Sequence, residues 1–261
     1  MKSIRVFFIG GYLAYRALFN WIHWSIYIPT MLGGPMFQVL FFAYIGRYAK
    51  LRSDEFFVIG NAVAISAVGG VFGMAMTIGG ERWTQTLSSI LATPASRLAL
   101  FLGRTLPNLV NGVIVSIFGF IAGWLFLDFS LTAPEIAAIA LVVVVTSFAC
   151  TAFGMMIGAF GLRGRDVFFF ANLVIFVFLL FCGVNVPFYS LPGWMQAVGR
   201  VLPLTHGIEA ARLIADGASL REVSGLVWTE AGIGACYAAL GYGLLRYFEI
   251  DGRRRATLET M

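Results

Sequence analysis

Covalent chemistry needs a nucleophile, a base or a metal, and this 261-residue chain is poor in the residue types that supply them. There are two lysines, Lys2 and Lys50, and neither ends a glycine-rich phosphate loop of the GxxxxGK[ST] kind. The two histidines, His23 and His206, lie far apart. His23 sits beside Trp21 and Trp24, which reads as an interfacial aromatic belt. No HExxH or GxSxG motif and no metal-ligand spacing occurs. Cys150, Cys182 and Cys236 all fall in apolar runs, as small core residues do. A membrane-embedded hydrolase cannot be assembled from this set.

The remaining polar groups in the apolar runs are mild. Arg104 and Glu230 each lie near the end of a run, where snorkelling to the surface is cheap. At a bilayer centre either charge would cost roughly 2.5–3.5 kcal/mol. Asn61, Asn108, Asn111 and Asn172, with Thr146 and Ser147, occupy central positions. The four asparagines are candidates for lining a pathway. They are a poor set for moving protons, so the energy for any transport comes from elsewhere.

One polar stretch stands out: GGERWTQTLSSILATPASRL, from Gly79 to Leu98. Trp83, Leu87, Ile90 and Leu91 fall on one helical stripe, with Thr84, Gln85, Ser88 and Ser89 opposite. Gly79-Gly80 is expected to break the preceding segment, and Thr93-Pro94 to end the short helix. Glu81 near its start suits the helix dipole. Spacing alone fits a plain interfacial helix, or one that docks a soluble partner.

The elements that must position these residues follow from composition. The chain is 59% hydrophobic and 12% charged, against about 25% charged for a soluble domain. Its mean hydropathy is +0.86, and the bilayer is the solvent that makes such a chain sensible. Six apolar runs are long enough to span: residues 22–46, 56–79, 98–127, 136–162, 167–186 and 223–247. Residues 1–21 begin basic and turn apolar. Arg16 occupies the place of a small-residue cleavage site, so an amphipathic helix in the interface is preferred over a signal peptide. Two short amphipathic helices are expected within 187–222, with Gly217 ending the second. Glycine pairs four apart, Gly69/Gly73, Gly119/Gly123 and Gly154/Gly158, allow close helix approach. The expected fold is a single all-α integral membrane domain over 1–261, with 80–96 as the polar helix between the second and third spans.

Basic residues set the orientation. With both termini inside, twelve Lys and Arg face inward and six outward. The loop GRYAKLRSDE dissents: it is basic and falls outside. The expected location is the plasma membrane, multi-pass, with both termini cytoplasmic. No aromatic-basic cluster points to nucleic acid.

The stretch with Glu81 at its start, a Thr-rich turn and LATP before the next span resembles the permease subunits of ABC type-2 exporters. The resemblance extends to FFVIGNAVAIS in the second span and to FCGVNVPFYSLPGWMQAVGRVLPLTHGIEAAR after the fifth. It covers nearly the whole chain, and the order of its motifs is more specific than any one of them. The drug and antibiotic-resistance permeases, such as daunorubicin exporters, are the nearest in kind. One departure is Gln85, giving TQTL where many relatives have TGTL. The resemblance implies a half-transporter that pairs with a second permease chain, identical or different. It implies a separate cytoplasmic nucleotide-binding ATPase subunit that carries the ATP and Mg, with no cofactor on this chain. By the same resemblance, 80–96 is the coupling helix. Glu81 and Arg82 would make polar contacts with the ATPase, Trp83 and Leu87 would brace the helix, and Thr84 and Thr86 share its turn. The implied cargo is a small amphipathic compound moved outward past membrane lipids.

Three other readings compete. A lipid, polysaccharide or teichoic-acid exporter lies within the same family. An ion-coupled secondary carrier would need central acidic residues and an inverted repeat, and neither is visible. A non-transport scaffold gives no reason for this polar helix between spans two and three.

Overall fold

The computed structural model describes residues 9, 11–12, 28–83, 97–161 and 166–254. All regular structure among these residues is helical. We number the α-helices in chain order: α1 Gly34–Ala49, α2 Asp54–Ala67, α3 Gly73–Trp83, α4 Arg97–Phe126, α5 Ala133–Gly161, α6 Val167–Phe181, α7 Gly193–Val201, α8 Thr205–Ala215 and α9 Ser224–Arg254. Three segments among the described residues are long and apolar enough to cross a membrane: Asp54–Gly79, Gly103–Phe126 and Ala133–Gly161. In a hydrocarbon solvent a helix satisfies all its own backbone groups, which accounts for the absence of strands among the described residues.

The second expected span is one helical run with a π-turn, Val68–Phe72, between α2 and α3. Gly69 and Gly70 lie in that turn and bring three helices together. A Cβ on Gly69 would stand 2.6 Å from the Gly112 Cα of α4, and one on Gly70 2.9 Å from the Thr151 nitrogen of α5. The other glycine pairs act alike. Gly119 and Gly123 of α4 pack on Ala62 and Val58 of α2, and Gly154 and Gly158 of α5 pack on Val71, Ala75 and Ile78. With lipid outside, close packing through small residues supplies the contact that a hydrophobic core supplies in water.

The long helix α9 lies along α5, with Gly234 against Ala149 and Gly241 against Met155 and Met156. Pro134 and Glu135 open α5 behind Thr132, whose backbone N–H donates to the Glu135 carboxylate at 2.8 Å in a capping box. Pro107 lies inside α4 and cannot donate to the Gly103 carbonyl one turn back. A Cβ on Gly11 would lie 3.0 Å from that oxygen, so the N-terminal segment approaches α4 there.

Several boundaries differ from the sequence expectation. The helix does not break at Gly79-Gly80 but continues to Trp83. Gly79 packs against Val167, and a glycine with no water to compete for its backbone bonds stays helical. The fifth run, expected over 167–186, is helical only to Phe181. The chain then bends through Cys182–Val186, with Gly183 at φ +73°. The sixth run extends past 247 to Arg254. Of the three cysteines assigned to the core, Cys150 and Cys182 are buried and Cys236 is exposed. Of the expected interface helix, Ile9, Gly11 and Tyr12 are helical, and the rest of 1–21 lies outside the described residues.

Outward-facing residues are as apolar as inward ones. On α6, Phe169, Phe176 and Leu180 are exposed, as are Trp124 and Leu125 on α4. In water such a surface would aggregate, whereas against lipid it is an ordinary solvent face.

Candidate functional site

At the end of α3, Glu81, Arg82 and Trp83 occupy the last helical turn. Thr84, Thr86 and Leu87, and the rest of the polar helix to residue 96, lie outside the described residues. The backbone that carries Glu81 and Arg82 is therefore a helical continuation of the membrane-length segment Asp54–Gly79.

Arg104, Asn108 and Asn111 lie on successive turns near the start of α4. Asn108 is 1% exposed. Its amide nitrogen donates to the Arg104 carbonyl at 3.1 Å and to the Thr77 hydroxyl at 3.0 Å. Thr77 donates in turn to the Gly73 carbonyl, and Gly73 lacks the Cβ that would crowd the Asn108 side chain. Asn111 is buried one turn further on, where the backbone of Gly69 meets α4. Asn172 is half-buried on α6 and donates to the Phe168 carbonyl of its own helix at 2.8 Å. Asn108 thus belongs to the α3–α4 seam, Asn111 lies where the π-turn meets α4, and Asn172 is locally satisfied. The four asparagines do not form one lining.

Asn61 belongs to a second polar cluster, between α1, α2 and the bend after α6. It is fully buried, and its amide nitrogen donates to the Phe57 carbonyl at 3.0 Å and to the Asn185 side-chain oxygen at 2.8 Å. Gln38 of α1 donates to the Asn61 side-chain oxygen at 3.2 Å.

Beside this cluster Arg212 reaches out of α8. Its guanidinium donates to the carbonyls of Gly183 at 2.8 Å, Val184 at 2.8 Å and Phe56 at 3.0 Å. It also lies 3.6 Å above the centre of the Phe56 ring. The carbonyls of Gly183 and Val184 belong to the bend where α6 has ended, and the arginine takes the place of the missing helical donors. Burial lowers the guanidinium to about 9, and Arg52 acts in the same direction. It therefore stays charged at neutral pH. Gly60 makes this arrangement possible, because a Cβ there would overlap the guanidinium and the Val184 carbonyl.

A third cluster was not legible in the sequence. Glu230 is 1% exposed, not snorkelling to the surface from a shallow position. Its carboxylate accepts the backbone N–H of Leu204 at 2.6 Å and of Gly207 at 3.3 Å, and so caps α8 from a different helix. Leu204 holds φ +104°, a strained value for leucine that this hydrogen bond helps to fix. The His206 imidazole lies 3.8 Å from the same carboxylate. Burial, the largest influence, holds the imidazole below its ordinary value, Arg200 acts with it and Glu209 against it. Neutral at pH 7, it makes no ion pair with Glu230.

The dissenting basic loop has structural partners. Arg47 pairs with Asp54 across the turn, and Arg52 donates to the Tyr189 hydroxyl while facing the Phe56 and Tyr189 rings.

The described residues thus form a bundle of lipid-facing helices tied by glycine seams, with the short helices α7 and α8 between α6 and α9. Residues 9–215 match the model of the ABC-2 type transporter family. The chain belongs to that family. This ABC-2 protein is 22% identical over 196 residues to the probable multidrug ABC transporter permease YbhR of Escherichia coli strain K12, covering 74% of this chain and 52% of the relative. It is also 32% identical over 103 residues to nodulation protein J of Rhizobium meliloti strain 1021, covering 40% of this chain and 38% of that protein. The chain spans about half the length, or less, of these curated relatives. Its membrane location and its place as the membrane component of an ABC transporter follow from the family and the apolar helices.

Proposed function

We propose that this chain is the permease subunit of an ATP-driven exporter for hydrophobic or amphipathic compounds, and that ATP is hydrolysed on a separate cytoplasmic subunit. The observation that carries this reading is the continuity of α3 through Gly79-Gly80 into Glu81, Arg82 and Trp83. A rigid helix transmits a push at its inner end, whereas a glycine hinge would absorb it. The second span crosses between α4 and α5 at its π-turn, so a displacement of its end acts on the centre of the bundle. In this reading the polar segment 80–96, with Thr84, Thr86 and Leu87 beside Glu81 and Arg82, docks on the ATPase. A second permease chain completes the pathway. Six spans, both termini inside, place α7 and α8 at the outer face of the plasma membrane.

Drug-like cargo is supported by the likeness to a protein described as a multidrug permease. It is also supported by 25 phenylalanines and 9 methionines in a chain of few charges.

The reading is tested by purifying the tagged chain from its native membrane in mild detergent and identifying what accompanies it by mass spectrometry. The expected result is a co-purifying nucleotide-binding subunit, lost in the Glu81→Ala/Arg82→Ala variant while the variant still inserts in the membrane. A chain that is recovered alone in repeated preparations, or a subunit that is retained by the variant, overturns the assignment.

A further inference from the structure

Three polar side chains from separate parts of the chain meet in the cluster around Asn61. Asn61 is fully buried on α2 and spends both ends of its carboxamide inside the protein. Gln38 on α1 and Asn185 in the bend after α6 flank it, and both are half-buried. Among the described residues each makes one side-chain hydrogen bond, and both bonds go to Asn61. The outward end of Gln38 and the outward end of Asn185 therefore offer one acceptor and one donor, and the identity of each end depends only on which way the amides point.

Three observations make this more than a tie between helices. First, an amide edge left in hydrocarbon is unsatisfied, so these two half-buried ends call for water, a headgroup or a polar ligand. Second, the neighbouring surface is aromatic: Phe37 and Phe41 flank Gln38 on α1 and are exposed, as is Tyr189 just beyond Asn185. Third, the Asn185 end is fixed in place. The carbonyls of Gly183 and Val184, immediately before it, are held by the Arg212 guanidinium, which Gly60 leaves room for. A fixed pair of amides beside exposed rings supplies the polar and aromatic groups by which small-molecule sites orient a ligand.

We propose that Gln38, Asn61 and Asn185 form a hydrogen-bonding subsite for cargo that carries carbonyl or hydroxyl groups on a flat apolar body. This rests on the exporter reading for its purpose, though not for its geometry. Asn61 is the positioning residue, held away from cargo; Gln38 and Asn185 make the contacts. Discrimination comes from the amides: a cargo without hydrogen-bonding groups leaves them unpaired and gains nothing from them.

The test uses the full chain in lipid nanodiscs and two probes. Daunorubicin is flat and carries carbonyls and hydroxyls, whereas tetraphenylphosphonium is aromatic and cationic with no hydrogen-bonding group. Fluorescence titration of daunorubicin is expected to show about five-fold weaker binding in Asn185→Leu and in Gln38→Leu, the worth of one neutral hydrogen bond. Tetraphenylphosphonium binding should stay within about two-fold, given that no such bond is made to it. Gln38→Leu carries the test if Asn185→Leu does not fold, because it leaves the Asn61–Asn185 bond in place. Wild-type protein that binds no daunorubicin, variants that bind it as well as wild type, or equal loss of both probes would each overturn the subsite. Equal loss identifies a purely structural tie. Recovery of an ATPase with wild-type protein is measured separately, so failure of the exporter reading is distinguishable from failure of this one.

Discussion

Glu230 and Gly60 show how much a single residue controls here. Glu230 gives two buried backbone donors their acceptors at the N-terminus of α8. Replacing it with alanine strands both, at about 1–3 kcal/mol each. Glu230→Ala is expected to lower the thermal unfolding midpoint in detergent well below that of Glu230→Gln, which keeps a carbonyl to accept one of the two. Equal midpoints for the two variants would contradict the capping role. Gly60→Ala is expected to destabilise by about 1–3 kcal/mol through overpacking, because its methyl displaces the Arg212 guanidinium from three carbonyls. An unchanged unfolding midpoint would show that the arginine's position does not matter. Neither role is written locally in the sequence. Glu230 reads as a lone charge near the end of an apolar run, and its partners lie 23 and 26 positions away. Asn61 could be singled out as a polar residue in an apolar run, but Asn185 and Gln38 could not be joined to it before the helices were packed.

Helix termini are the best-written part of the chain, since their signals are local. Thr132–Glu135 is a capping box that spells its own geometry. The turn Ser219–Glu222 does the same ahead of α9: the Ser219 backbone N–H donates to the Glu222 carboxylate at 2.7 Å and its hydroxyl at 2.8 Å. These two bonds, the backbone one first, hold the Glu222 carboxyl below its ordinary value of 4.5. A depressed carboxyl contributes stability that is present above the unfolded value and lost as pH falls through the folded one. Thermal stability should therefore drop as the medium is acidified through and below 4.5, and drop less in Ser219→Ala, which keeps the backbone donor and loses the hydroxyl. Parallel pH profiles for wild type and variant would refute the link. Glycine signals were less reliable at this scale. Gly79-Gly80 reads as a break under rules drawn from water-exposed helices, and it is no break where water is absent. Conversely, the bend after Phe181 is written only as a run of small residues, and its stability depends on Arg212, 29 positions beyond Gly183.

At the scale of the molecule, hydropathy made the class plain, and charge counting argued for an orientation with one dissenting loop. In this loop Arg47 is paired with Asp54 while Arg52 is engaged by Tyr189 and Phe56. The positive-inside rule counts Lys and Arg rather than net charge, so these contacts leave the dissent standing and the orientation has to be measured. Two exposed positions separate the proposed topology from its inverse. Tyr48, 93% exposed, lies in the last turn of α1, and Asp166, also exposed, precedes α6. In a Cys236→Ala background, which removes the exposed native thiol and leaves the buried Cys150 and Cys182, a cysteine is placed at one of these positions. A membrane-impermeant maleimide added to intact cells is expected to label Tyr48→Cys and to reach Asp166→Cys only after the membrane is opened. The opposite pattern would invert the bundle. It would put α7, α8 and the Asn61 cluster at the cytoplasmic end and turn the end of α3 away from any cytoplasmic ATPase. Labelling of both from outside would mean that an even number of crossings separates them. α6 is only 15 residues, about 22 Å at 1.5 Å per residue, which is shorter than the roughly 30 Å hydrocarbon core of a bilayer. In the proposed orientation, with α6 starting at the inner surface, the bend lies within the membrane, where outward-moving cargo would meet the Gln38 and Asn185 amides that Asn61 holds in place.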